Sequence, residues 1–259
     1  YTDKGFFIPY VKFPAFKIPE KDDVLIFKYP RDHFVKYVKR CVGGPGDTLL
    51  VDSKKVYING KEVPLSENGK FLYPTLPDNF RQQEIFLTSA INRNKDFIGP
   101  IIIPKKGDKY LINSETNWRH LLPLIMMEGH NVTLVSDEKT YTLTLQDPNE
   151  LYRRKENKTV FNDYFPTGSL LTPWSKSVKD AHFKYLYIDG KPISEWTSYE
   201  LTQNYYWAMG DNRDDSLDSR YWGFIGENYI LGEALFIYFS LDIFNTWLPR
   251  FDRVGTVIQ

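Results

Sequence analysis

Apolar and polar positions alternate with a period of two along much of this chain, the pattern of half-buried strands. Asp23–Tyr29 (DVLIFKY) is a short apolar run stopped by Pro30. Phe34–Val42 (FVKYVKRCV) alternates, with Tyr37, Lys39 and Cys41 on one face and Val38, Arg40 and Val42 on the other. The run Gly43-Gly44-Pro45-Gly46-Asp47 reads as a turn, because glycine supplies positive φ and proline fixes its own. Thr48–Val51 restarts a strand, and Val56–Ile58 meets Asn59-Gly60, a strong hairpin signal, before Lys61–Val63. The same pattern returns at Tyr185–Ile188, Asp189-Gly190 and Lys191–Ile193. Between the two hairpins, from residue 64 to about 182, composition shifts toward Asn, Asp, Lys, Glu and Pro. Strand-like pieces there are Tyr110–Ile112, Asn131–Val135 and Tyr141–Leu145, and Asn117–Met127 reads as a short helix. The expectation is a mainly β protein. One β domain uses residues 1–63 and 185–259, and residues 64–184 form an inserted β-rich subdomain.

Composition narrows the function classes. Of 259 residues, 42% are hydrophobic and 25% charged, as in ordinary globular proteins. Lys+Arg and Asp+Glu are both 33, which argues against nucleic-acid binding through bulk charge. The single cysteine, Cys41, excludes an internal disulfide and a cysteine metal cluster. The 18 Tyr, 18 Phe and 6 Trp suit a β core, and Trp207, Trp222 and Phe224 are read as core rather than lipid-facing. The longest apolar stretch, Ile230–Phe244, is interrupted by Glu233, Ser240 and Asp242, so no span is expected in this chain.

Two stretches carry candidate chemistry. In Gly210–Gly223 (GDNRDDSLDSRYWG), eleven of fourteen positions are polar or glycine, too many for a buried strand. Such a run is either a solvated loop or a network of mutual hydrogen bonds. A calcium loop fits poorly, because Arg213, Ser216 and Trp222 occupy its ligand and glycine positions. The second stretch, Tyr37–Asp47 (YVKRCVGGPGD), lacks the Gly-Lys-Ser/Thr ending of a phosphate loop. Its Lys39 lies in an apolar strand. It is either an edge lysine reaching solvent or a desolvated lysine of lowered pKa, usable as a general base.

Asp22–Pro30, Tyr37–Asp47 and Gly210–Gly223 resemble, in order, three sequence boxes of the bacterial type I signal peptidases, serine–lysine endopeptidases. The closing stretches Asn228–Gly232 and Arg250–Gly255 are also similar, and the resemblance covers about residues 21–63 and 185–259. It implies a signal-peptidase-like β fold that removes signal peptides from exported preproteins, without metal or organic cofactor. Lys39 matches the general base, and Ser216 the serine that orients it. Arg40 with Asp211, and Asp218 with Arg220, match supporting pairs. Lys36, Tyr37 and Val38 match the strand that binds substrate by β-augmentation. Ile26 and Val38 match walls of pockets for small side chains. The implied partners are signal peptides with small residues at the cleavage site and a membrane surface, not nucleic acid. The implied location is the inner (cytoplasmic) membrane, with the catalytic domain on the periplasmic side.

The family's first box, a Ser-x-Met-x-Pro-Thr type segment holding the nucleophile, has no match. Residues 1–38 contain no serine, and Thr2 is their one non-phenolic hydroxyl. The chain as given is therefore expected to be inactive. Either the nucleophile lies upstream of Tyr1, or the protein is a noncatalytic paralogue that binds peptides or partners. A self-cleaving regulatory protein with the same dyad, and a β-rich ligand-binding module, are the remaining competitors.

Overall fold

Strand pairing follows from the alternation. The computed structural model describes residues 17–86, 92–136, 139–157, 165–237 and 248–258. Thr2, with the rest of residues 1–16, and residues 238–247 of the late apolar stretch lie outside the described residues. The strands of the first half are β1 (Val24–Tyr29), β2 (Asp32–Gly43), β3 (Thr48–Asp52), β4 (Lys55–Ile58), β5 (Lys61–Val63), β6 (Ile98–Ile102) and β7 (Lys109–Leu111). Helix α1 (Trp118–Met127) precedes β8 (Val132–Ser136) and β9 (Lys139–Leu143), and α2 (Pro148–Glu156) precedes β10 (Ser169–Leu171). The remainder comprises β11 (Leu186–Ile188), β12 (Lys191–Pro192), β13 (Ser198–Glu200), β14 (Tyr205–Met209), α3 (Ser219–Trp222), β15 (Ile225–Gly226) and β16 (Ile230–Glu233). The protein is mainly β.

The sheet that positions the site has the order β15-β14-β2-β1-β16. It joins residues from both ends of the chain. β1, read from the sequence as a short apolar run, alternates: Leu25 and Phe27 are buried, and Ile26 is turned the other way. Its neighbour β14 (YYWAM) is buried at every position, as a central strand covered on both faces should be. Burying a side chain of this size contributes roughly 1.5–3 kcal/mol. Trp207, Trp222 and Phe224 are all core residues, at 0%, 4% and 3% exposure.

A second sheet, β5-β4-β3-β6, follows through the Gly43–Asp47 turn. Asp47 closes that turn by accepting from Gly44 N at 2.9 Å. Asn59 and Gly60 both take positive φ (52° and 77°), so the hairpin turns as its residues predict. A third sheet, β10-β9-β8-β11-β12, joins residues 132–171 to the second hairpin, because Leu186–Ile188 pairs with Val132–Leu134. The expected helix is α1, capped by the Asn117 side chain, with Leu121, Leu122, Leu124 and Ile125 fully buried.

Candidate active site

The site is built where β2 and β14 part. β14 pairs with β2 only from Gly43 to Arg40; after Met209 the chain turns away into the polar loop. Two amides at this end of β14 are satisfied by the loop itself. Ala208 N donates to Ser219 Oγ at 3.0 Å, and Gly210 N donates to Asp218 Oδ2 at 3.0 Å. The loop is thereby folded back over Lys39, the β2 residue just beyond the last ladder pair.

Lys39 Nζ donates to Ser216 Oγ at 2.9 Å. Two residues 177 positions apart thus meet. Burial is the main reason the Lys39 pKa falls below the ordinary lysine value. Asp218 pulls it up, Arg220 pushes it down, and Asp211 and Asp215 pull it up. The Tyr37 ring lies 5.5 Å from the ammonium. That ring is itself stacked on Trp222, with centroids 5.3 Å apart and planes at 9°, and Tyr29 packs against both. An aromatic cluster therefore stands on one side of Lys39.

Arg40 meets Asp211, and Arg220 meets Asp218. Arg40 forks onto Asp211, with Nε and Nη2 both at 2.9 Å, and its third arm donates to Asp22 O at 2.8 Å. Arg220 forks onto Asp218 at 2.9 and 2.8 Å, with both side chains almost wholly buried, and also donates to Arg213 O at 2.5 Å. The Arg40 and Arg220 partners hold the Asp211 and Asp218 carboxyls below the usual carboxylate range, against the opposing effect of burial. Arg213, 3% exposed, has its pKa lowered by burial and by Arg220.

Ile26 and Val38 face each other across β1 and β2, on the sheet face opposite Lys39. Val38 is 53% exposed. Lys36 is exposed, and its ammonium donates to Phe34 O at 3.2 Å. On the side toward β14, the Lys36–Lys39 stretch of β2 has no ladder partner among the described residues.

Several contributors were not anticipated. Gly210 has no room for a side chain: a Cβ there would overlap Ser216 Oγ, stand 2.6 Å from Ser216 Cβ and lie 3.5 Å from Lys39 Nζ. A glycine immediately after a fully apolar strand was the available signal. Lys54 and Lys95, which bind Asp214, carry no local signal at all. Cys41 is no alternative nucleophile, because it is fully buried and its thiol is pushed up to about 12. No three His, Cys, Asp or Glu side chains converge on a metal position among the described residues.

Similarity to known proteins first fixes the class, a peptidase. The family model described as signal peptidase, peptidase S26, matches residues 3–111 and 125–239. The chain belongs to this family. It is 37% identical over 243 residues to signal peptidase I of Rickettsia typhi, covering 93% of this chain and 60% of that protein. It is 28% identical over 242 residues to signal peptidase I of Buchnera aphidicola subsp. Baizongia pistaciae, covering 92% and 62%. The chain thus spans less than two thirds of these relatives' length. A solved signal peptidase I from Enterococcus faecalis aligns over 85% of this chain and 98% of its own, at 15% identity and a TM-score of 0.30. No helix among the described residues is long and apolar enough to cross a membrane.

Proposed function

We propose that this chain is the extracytoplasmic part of a signal peptidase I that cleaves preproteins with a Ser–Lys dyad, and that it supplies the lysine half. The observation that carries this reading is the Lys39–Ser216 contact at 2.9 Å with Lys39 desolvated. A serine hydroxyl is a weak nucleophile and needs an adjacent base. An amine serves as that base only when neutral, which burial favours. Ser216 holds the amine in one rotamer. The Arg40–Asp211 and Asp218–Arg220 forks brace the loop that carries Ser216. The preprotein pairs as an added strand along Lys36, Tyr37 and Val38, and Ile26 and Val38 accept alternate small side chains.

No serine in residues 1–38 matches the nucleophile box. The 259-residue chain is accordingly proposed to be inactive alone, and the parent enzyme to act at the outer face of the inner membrane. Cleavage of a signal-peptide substrate by the purified chain, lost in Lys39→Ala, would refute the inactivity. Expression of the open reading frame from its own start then separates the two versions of the idea. Activity abolished by Lys39→Ala identifies an active enzyme. A folded, inactive full-length product identifies a noncatalytic paralogue.

A further inference from the structure

Beneath the loop that carries Ser216 lies a cluster that this reading leaves unused. Asp214 sits two residues before Ser216, and its side chain is 1% exposed. Its carboxylate accepts from Lys54 Nζ at 2.7 and 2.9 Å and from Lys95 Nζ at 2.5 Å. It also accepts from the backbone amides of Leu72 and Tyr73 at 2.6 and 2.9 Å. Both lysine side chains are largely buried, at 7% and 11% exposure. Lys54 comes from the β3–β4 turn and donates as well to Tyr73 O at 2.6 Å. Lys95 comes from the segment before β6 and donates as well to Asp214 O at 3.3 Å. The segment around Leu72 is zipped to the same loop. Lys70 N donates to Asp211 O, and Arg213 N donates to Lys70 O, both at 3.0 Å.

Stability is a poor account of this arrangement. A buried ion pair is often no better than apolar residues of the same volume, and here two ammonium groups share one carboxylate. Geometry is a better account. From Gly210 to Asp218 the backbone forms no strand or helix, apart from the isolated bridge of Asn212 to Lys70. The loop is anchored by side chains at Asp211 and, on either side of Ser216, at Asp214 and Asp218. Ser216 lies midway between the latter two, two residues from each, with exposed Asp215 and Leu217 beside it. Releasing either anchor would let Ser216 leave Lys39.

We propose that Asp214 is a positioning residue: by gathering Lys54, Lys95 and the Leu72 and Tyr73 amides, it holds the loop so that Ser216 Oγ meets Lys39 Nζ. This rests on the reading of Lys39 and Ser216 as the functional pair. The charged groups that act most strongly on Lys39 are Asp218, Arg220, Asp211 and Asp215, and Asp214 is not one of these. Its influence therefore passes through the loop. The two routes also differ in sign. Removing a distant negative charge would lower the Lys39 pKa, whereas loosening the loop and admitting water raises it.

The test is a pH titration of Lys39 by NMR in the full 259-residue chain with lysines carbon-13 labelled at Cε, the resonance assigned with Lys39→Arg. In the unsubstituted chain Lys39 titrates below ordinary lysine, and in Asp214→Asn it shifts upward toward the ordinary value. A folded Asp214→Asn chain in which Lys39 is unmoved or lowered overturns the proposal and leaves the dyad reading intact. A Lys39 that is ordinary in the unsubstituted chain overturns the dyad reading itself. Should Asp214→Asn not fold, the double variant Lys95→Met, Asp214→Asn removes one charge of each sign, so a through-space effect nearly cancels and an upward shift of Lys39 still reports the loosened loop. Failure of both to fold makes Asp214 a structural residue and overturns the positioning role.

Discussion

The polar loop Gly210–Gly223 and the helix α2 use the same residue types to opposite ends. In α2, Glu150 accepts from Arg153 and Arg154 at 2.7–3.0 Å on the surface. In the loop, Asp218 accepts from Arg220 at nearly the same distances, but both side chains are buried. The distances are alike and the consequences are not. The helix pair trades solvent contacts for similar ones and adds little. The loop pair has no water to fall back on, so each member depends on the other. Ionic residues in a sequence become informative only once their burial is known.

Arg220→Met is the strongest test of that contrast. It strands the Asp218 carboxylate, and an uncompensated buried charge costs about 3–5 kcal/mol. Urea denaturation should show that loss as a lower midpoint at unchanged slope. Next comes His120, which packs against the Phe86, Tyr110 and Phe224 rings and is pushed down to about 4 from 6.5 by burial. In this range the unfolded chain binds the proton and the folded chain does not. Stability contributed by this site is therefore full above pH 6.5, declines as pH falls toward 4 and then levels. The loss amounts to up to about 3 kcal/mol. His120→Phe should flatten that segment of the stability–pH curve.

Gly210→Ala is smaller in stability and sharper in function. The added methyl overpacks the contact with Ser216, at about 1–3 kcal/mol. The Lys39 titration should move upward as Ser216 is displaced. At the bottom of the scale, Arg153→Ala on α2 should leave the urea midpoint unchanged. A clear destabilisation there would contradict the contrast between the two regions.

Local signals carried much of the fold. Asn59-Gly60 and Asp189-Gly190 both turn with positive φ, and Asn117 caps the helix that its position suggested. Helix α2 was not anticipated, although Asp147 as cap and Pro148 in the first turn were a legible start signal. The site divides differently. Lys39 stood out as a lysine in an apolar strand, but only the family resemblance tied it to Ser216. Lys54 and Lys95 lie 160 and 119 positions from Asp214, and nothing in their neighbourhoods marks them. Hydrogen bonding across such separations is decided by topology, which periodicity does not encode.

The Lys36–Lys39 edge of β2, without a ladder partner among the described residues, also bears on how the chain behaves in crowded solution. If it takes a visiting strand, as proposed, it is equally open to the edge of a second molecule. It cannot be capped by another strand of the fold without closing the site. Protection against self-assembly has to come from the side chains along it, and exposed Lys36 puts a positive charge there. Replacing Lys36 with an apolar residue would therefore be expected to show itself first as concentration-dependent association, visible by light scattering before any loss of fold.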